Sequence, residues 1–436
     1  MHDGPAEALA QTAPVDASAL PAGTSVLIVA PNASTKFGGE AVLPVHYFRL
    51  LRQRGVDVRL LAHARNRANL EENFGPDCPE VLYIEDTAWH RILAKTGRYF
   101  PAKIRHFAFG MMMNLVNEHY QAKEIRALRA AGKLDLIHQP IPVSPKAPSS
   151  IYGFGVPVVI GPMNGGMDLP KGYEDFARAS ERRFESFARS LARLANRALP
   201  GKARAKTLLV ANDRTRKALA VSHDNIVTLP ENGVDLGTFP ERGAQGPAAA
   251  PGEIRLIYLG RLVGWKAVDI SLRAVALARA AGTKVTLDIV GDGPERASLE
   301  ALAEELGLAG SGVIFHGFQK QQACAGYLQR ADALLLNSIF ECGGAVVLEA
   351  MSIGLPVIGP DWGGPADYVT PETGLLVSPI PRETFADRLA QAIIDLSADP
   401  EKRQRMGTAG IARIHSHFNW ERKVDRILEI YAQAMR

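Results

Sequence analysis

Short apolar runs alternate along this chain with longer stretches of helical periodicity, and that alternation restricts the fold more than any other feature. Runs of Val, Ile and Leu too short for a helix, each followed by a helical pattern, make βαβ units whose strands lie parallel and are covered on both faces. In the first half the runs are Val26–Ala30, Val58–Leu61, Val81–Ile84, Leu134–His138, Val156–Ile160, Leu208–Ala211 and Ile226–Leu229. The second half repeats the pattern with Ile254–Leu259, Val285–Val290, Val313–His316, Ala333–Leu336 and Val357–Gly359. Between the halves, 240–253 is dense in Gly, Pro and Ala, as a linker is. The expected class is α/β, with two doubly wound Rossmann-like domains facing across a cleft. Residues 1–22 form a flexible leader, 23–240 the first domain, 241–252 the linker and 253–417 the second domain.

Composition excludes several classes. A chain of 436 residues with 47% hydrophobic content can bury two ordinary cores, and a net charge of +4 is too small to argue for nucleic acid. Cys78, Cys324 and Cys342 have no metal or disulfide spacing, which fits a reducing cytoplasm. No run of eighteen apolar residues occurs, so no spanning helix is predicted and any membrane contact is peripheral.

The segment 338–357 carries the most chemistry. Glu341 and Glu349 flank the pair Gly343-Gly344, directly after the apolar strand 333–336. A glycine turn that opens a helix presents bare N–H groups and a positive dipole end, a ready anion site. Carboxylates on either side of a phosphate grip hydroxyls, so the ligand implied is a phosphate flanked by sugars. Arg261 and Lys266 follow the strand 254–259, a fork and a point charge that suit a diphosphate. Gly38-Gly39, Gly161 to Gly166 and Gly291-Asp292-Gly293 end further strands, where ligands of doubly wound sheets bind.

Together these motifs resemble the family 4 retaining glycosyltransferases of the GT-B fold. The resemblance rests on Glu341 and Glu349 with seven residues between, Gly-Arg-Leu-x-x-x-Lys at 260–266, Glu-Asn-Gly-Val-Asp at 231–235, Gly-Asp-Gly-Pro at 291–294 and Gly38-Gly39. It implies that Arg261 and Lys266 hold the donor diphosphate, Glu349 the ribose and Glu341 a hydroxyl of the donor sugar. It places Gly38, Gly39, Gly343 and Gly344 against phosphate or sugar, Gly317 and Phe318 at the nucleobase, and His138 near the transferred sugar. It also implies that a closing helix within 418–436 crosses back to the first domain. The implied reaction is a metal-independent transfer from a UDP or GDP type nucleotide sugar to a glycan or lipid-linked glycan acceptor, with no further cofactor. No Asp-x-Asp pair is present to clamp a metal.

This chain departs from the family's pattern at Gly343, where an aromatic is usual, at Ala267 for a glycine, and at Asn337 for a proline. A glycosidase needs no cationic cradle. A GT-B epimerase or a silent sugar-binding scaffold remain alternatives, since fold does not fix function. His415 and His417 read as surface residues, and Asp367 as part of a helix start. Two tracts mix cations with apolar residues: 178–199, with Phe184, Phe187, Leu191, Leu194 and Ala198 at helical spacing among arginines, and 89–116, with Trp, Tyr, Phe and Met among Arg91, Lys95, Arg98, Lys103 and Arg105. Both suit an anionic membrane surface, on the cytoplasmic face, or else a core-facing stripe.

Overall fold

A computed structural model describes residues 17–36, 39–100, 109–176, 191–243 and 249–436. Its strands form two wholly parallel sheets. The first holds β1 (Ser25–Val29), β2 (Asp57–His63), β3 (Val81–Ile84), β4 (Leu136–Gln139), β5 (Val158–Met163), β6 (Thr207–Val210) and β7 (Ile226–Thr228), in the order β3-β2-β1-β4-β5-β6-β7. The second holds β8 (Glu253–Leu259), β9 (Lys284–Val290), β10 (Val313–Gly317), β11 (Ala333–Leu335), β12 (Val357–Pro360) and β13 (Gly374–Val377), in the order β10-β9-β8-β11-β12-β13. Every residue of β1 and of β5 is buried, as continuous apolar strands are when helices cover both sheet faces. The architecture is that of the two facing doubly wound domains of the GT-B fold.

Strand order fixes where a ligand can sit. In each sheet the winding reverses beside the first strand, between β1 and β4 and again between β8 and β11. Loops leaving the carboxyl ends on either side of such a point diverge and open a crevice. Gly39, after β1, and the 260–266 and 337–344 loops, after β8 and β11, all leave these two points.

The chain crosses between the two cores near its end. Ile414 and Phe418 belong to the second core, whereas Trp420, Val424, Ile427, Leu428 and Tyr431 pack with Val26, Tyr47 and Leu136 of the first. The crossing is pinned by Val234 N–H to Phe418 O (2.8 Å) and Trp420 N–H to Val234 O (3.3 Å). Asn419 caps the helix Trp420–Ala434 by accepting the Arg422 N–H at 2.8 Å. Each large apolar side chain it buries contributes ~2 kcal/mol. Arg54 adds an ion pair to the buried Asp425.

Three expectations need correction. β13 was not anticipated. The leader is anchored before residue 22, because Leu20 is buried in the first core and the Thr24 N–H closes a turn on Pro21 O at 3.1 Å; residues 1–16 lie outside the described residues. The linker's first residues are held by the second domain, with Arg242 N–H on Ile353 O (3.1 Å) and its guanidinium on Ala331 O (2.7 Å).

Candidate functional site

β8 and β11 are neighbours, so the loops at their carboxyl ends are too. Ile339 N–H donates to Trp265 O at 2.8 Å, and Lys266 Nζ makes a salt bridge with Glu341, each side chain 17% exposed. Asn337 locks the same pair of loops. Fully buried, it donates from Nδ2 to Ala267 O at 2.6 Å and accepts the Ser271 hydroxyl through Oδ1. Ala267 itself is left-handed (φ 50°), the sole non-glycine residue with positive φ among the described residues. The departure from proline at 337 thus supplies an amide that holds the turn after Lys266.

Arg261 is pinned through its backbone and free at its tip. Tyr258 Oη donates to Arg261 O at 3.0 Å, and Leu262 N–H to Asp292 O at 3.0 Å. A methyl at Gly291 would overlap Gly260 O and one at Gly293 would overlap Leu262 O, so this Gly-Asp-Gly turn exists to press on the segment carrying Arg261. The guanidinium is exposed, with no ion pair among the described residues.

The glycine pair opens the helix Ala345–Ile353. Gly344 takes its N-cap with φ 84° and offers no side chain to occupy the amides of Ala345 and Val346, which face the helix start, while the Val347 N–H donates to Gly344 O at 2.9 Å. Glu349, half-buried on this helix, is pushed up to about 7 by burial, with Gln321 opposing the shift through a hydrogen bond. Gly317 closes β10 and accepts the Gly291 N–H at 2.9 Å; Phe318 beyond it is 76% exposed. Gly39 begins a short turn with φ 56°, while Gly38 lies outside the described residues.

The seam between the domains closes on the same loop. Asn164 Nδ2 donates to Cys342 O (3.1 Å) and Glu231 Oε2 (2.7 Å). Arg214 Nη2 reaches Asp367 Oδ2 (2.9 Å) and Cys342 O (3.4 Å), and Asn212 Nδ2 also reaches Asp367 (2.8 Å). Burial raises the Asp367 and Glu231 carboxyls, and pushes the Cys342 thiol up to about 11. Asp367 is therefore a cross-domain acceptor rather than a mere helix-start residue. Arg214 and Asn212 had no signal in the sequence and Asn164 showed only as part of the 161–166 loop, because their cross-domain partners lie more than a hundred residues away. Gly343 is explained here: a methyl there would overlap the Asn232 side-chain amide, which leaves no room for the family's aromatic.

His138 does not join this site. Its ring is fully buried, with Nε2 on Gly161 O and Nδ1 on the Tyr431 hydroxyl, both at 2.7 Å. Burial lowers it to about 4, so it stays neutral and ties the first sheet to the closing helix. The expectation that it approaches the transferred sugar is withdrawn.

One group has metal-like proximity. Ligand atoms of His63, Asp86 and His90 lie within 4.8 Å of one another, beyond β2 and β3. However, the Nδ1 atoms accept the Arg65 and Thr87 backbone N–H groups at 3.1 Å each. That makes Nε2 the protonated nitrogen of each neutral ring, facing Asp86 and Asn117 respectively, and leaves no lone pair for a cation. His415 pairs with Glu241 at 2.7 Å.

Comparison with known proteins places this geometry. Residues 244–413 match the family model "Glycosyl transferases group 1". A Mycobacterium tuberculosis glycogen synthase is 31% identical over 211 residues, 48% of this chain and 49% of that protein. A GDP-mannose-dependent monoacylated alpha-(1-6)-phosphatidylinositol monomannoside mannosyltransferase of Corynebacterium glutamicum is 30% identical over 231 residues, 50% of this chain and 58% of that one. The chain thus spans about half the length of the curated relatives it matches. Anabaena Alr3699/HepE, solved in complex with UDP, covers 94% of this chain and 100% of its own at TM-score 0.61 and 17% identity, which speaks for the fold. Residues 244–413 thus carry the likeness to the glycosyl transferases group 1, and the chain as a whole has the GT-B fold.

Proposed function

We propose that the chain is a retaining, metal-independent glycosyltransferase of family 4. It would take a sugar from a UDP or GDP type donor to a glycan acceptor, lipid-linked, at the cytoplasmic face of a membrane. The observation that carries this reading is the meeting of Lys266, Glu341 and an uncapped glycine helix start at the topological switch point of the second sheet. Cations there serve an anion, and the adjacent carboxylates serve hydroxyls. The relatives' printed names, one using GDP-mannose and one structure holding UDP, agree with such a donor.

In this mechanism Arg261, Lys266 and the amides after Gly344 hold the diphosphate, Glu349 the ribose and Glu341 a sugar hydroxyl. The bond from the anomeric carbon to the diphosphate oxygen breaks first, and its electron pair leaves with the diphosphate. The acceptor oxygen then bonds to the same face of the sugar and passes its proton to the departing oxygen. Stabilising that oxygen is the main electrostatic contribution.

The lipid side of the proposal draws on one tract. Trp89 (60% exposed), Ile92 (51%) and Tyr99 (81%) lie among Arg91, Lys95 and Arg98 on and after the helix Ala88–Gly97. In 191–198, Leu194 is 63% exposed while Ala192 and Asn196 turn inward, so Leu194 is not part of a core-facing stripe. Phe184, Phe187, Lys103 and Arg105 lie outside the described residues. No helix among the described residues is long and apolar enough to cross a membrane.

Incubation with a panel of nucleotide sugars tests the proposal, read as nucleotide release with and without cell-envelope lipid extract. One UDP or GDP sugar should be turned over, faster with extract and equally fast with chelator. Absence of turnover refutes it, and an epimerised donor formed without acceptor favours an epimerase.

A further inference from the structure

Beside the seam lies a second cationic site. Lys146, in the loop after β4, Arg193, in the helix 191–198, and Arg214 and Lys217, in the helix Asp213–Lys217, line a cavity of about 550 Å³ with Gly166 and Asp168. Four cations from three stretches of chain meet one carboxylate there. Some surface cations sit with carboxylates, as Lys36 does with Glu72 and Arg382 with Asp175. Here Arg214 alone has such a partner, Asp367, and the side chains of Lys146, Arg193 and Lys217 make no ion pair among the described residues. Like charges gathered around a concavity focus the field there and raise the local concentration of anions.

Position narrows the choice of anion. Arg214 lines the cavity and also reaches Cys342 O, next to Glu341. The cavity therefore adjoins the loop that would grip the donor sugar, yet its cations come from the first domain and are separate from Arg261 and Lys266. A volume of several hundred cubic ångströms holds a small-molecule ligand, and a group of cations this size matches a phosphate better than a single carboxylate.

We propose that this cavity binds a phosphate group carried by the acceptor. The proposal rests on the glycosyltransferase reading and adds the acceptor's chemical class: a phosphorylated sugar or a lipid phosphate headgroup. Arg193 and Lys217 are its exposed arms, and Arg214, fixed by Asp367, relates the bound phosphate to the donor loop.

The test uses full-length protein saturated with UDP or GDP, so that the donor cradle is filled. Inorganic pyrophosphate is titrated calorimetrically at low salt into wild type and the Arg193→Gln/Lys217→Gln variant, whose changed residues are exposed. Wild type should bind pyrophosphate and the variant at least tenfold more weakly, with nucleotide affinity equal in both. Competition by glycerol 3-phosphate identifies a soluble phosphorylated acceptor, and competition by phosphatidic acid vesicles alone identifies a lipid one. Equal pyrophosphate affinity in both proteins, or none in wild type, overturns the cavity's role while leaving the donor reading intact. Failure to bind either nucleotide is the separate failure of the glycosyltransferase reading.

Discussion

Lys266 and Glu341, 75 residues apart along the chain, form a salt bridge between the loops that follow β8 and β11, two strands adjacent in the sheet. Each half-neutralises the other before any ligand arrives. In the proposed reaction a diphosphate competes for the lysine while a sugar hydroxyl competes for the carboxylate, so both partners are held near the positions they serve.

Lys266→Ala should therefore nearly abolish transfer and weaken nucleoside-diphosphate binding, with the fold retained. Losing one preorganised cation from a developing oxyanion costs about 3 kcal/mol in barrier, or two to three orders of magnitude in rate. Single-turnover kinetics with calorimetry against UDP and GDP will measure both effects. Wild-type turnover in this variant would remove the diphosphate assignment.

Glu341→Gln and Glu349→Gln should fail differently. Losing Glu349 should weaken free nucleotide, whereas losing Glu341 should spare it and slow transfer. Glu349 also predicts a pH signature. Burial raises its carboxyl from 4.5 to about 7 in the folded protein, so the stability it contributes is complete below pH 4.5 and is lost as pH rises towards 7. Urea unfolding of Glu349→Gln should accordingly show higher stability at pH 8 and a flatter profile between pH 4.5 and 7. Nucleotide affinity should rise across the same window in wild type only, because ribose hydroxyls donate to the ionised form. An unchanged stability profile in the variant would contradict the buried environment assigned to Glu349.

Much of this was legible in the sequence, for a definite reason. Parallel strands buried on both faces are written as apolar runs, and the strands expected from such runs match the observed ones to within a residue or two at most ends. β13, the edge strand Gly374–Val377 paired with β12, escaped although β3, an edge strand of the same length, was legible. The cationic and carboxylate residues were legible because glycine turns mark strand ends. Their pairing was not, since strand order is set by crossovers and no local pattern records it. His138 misled for a related reason: the residue ends a strand at a switch point, but its ring turns sideways towards Tyr431. Asn337 could be seen only as a departure until Ala267 O and Ser271 appeared beside it.

Gly343 makes a steric prediction. A methyl there would overlap the Asn232 amide, whose Nδ2 donates to Tyr368 Oη at 3.1 Å. Gly343→Ala should destabilise the protein by about 1–3 kcal/mol, the range for overpacking. Combining it with Asn232→Ala should recover part of that loss, because the second change removes the obstructing group. Thermal unfolding of the two single variants and the double variant gives the coupling. Strictly additive losses would show that the seam does not close on Gly343.

The exposed tract after β3 makes the last prediction. Trp89, Ile92 and Tyr99 expose more than half of their surface, and Arg91, Lys95 and Arg98 are exposed among them. Aromatic rings beside cations favour a lipid headgroup region, where each cation near an anionic surface contributes about 1 kcal/mol. Full-length protein should co-sediment with anionic vesicles and not with neutral ones, and salt should release it. Because these side chains already face solvent, Trp89→Ser/Ile92→Ser should fold normally and lose most vesicle binding, with activity on soluble donor hydrolysis unchanged. Arg91→Gln/Lys95→Gln should reduce binding and flatten its salt dependence. Protein that stays in the supernatant with anionic vesicles at low salt would refute the membrane reading and make a soluble glycan the acceptor to pursue.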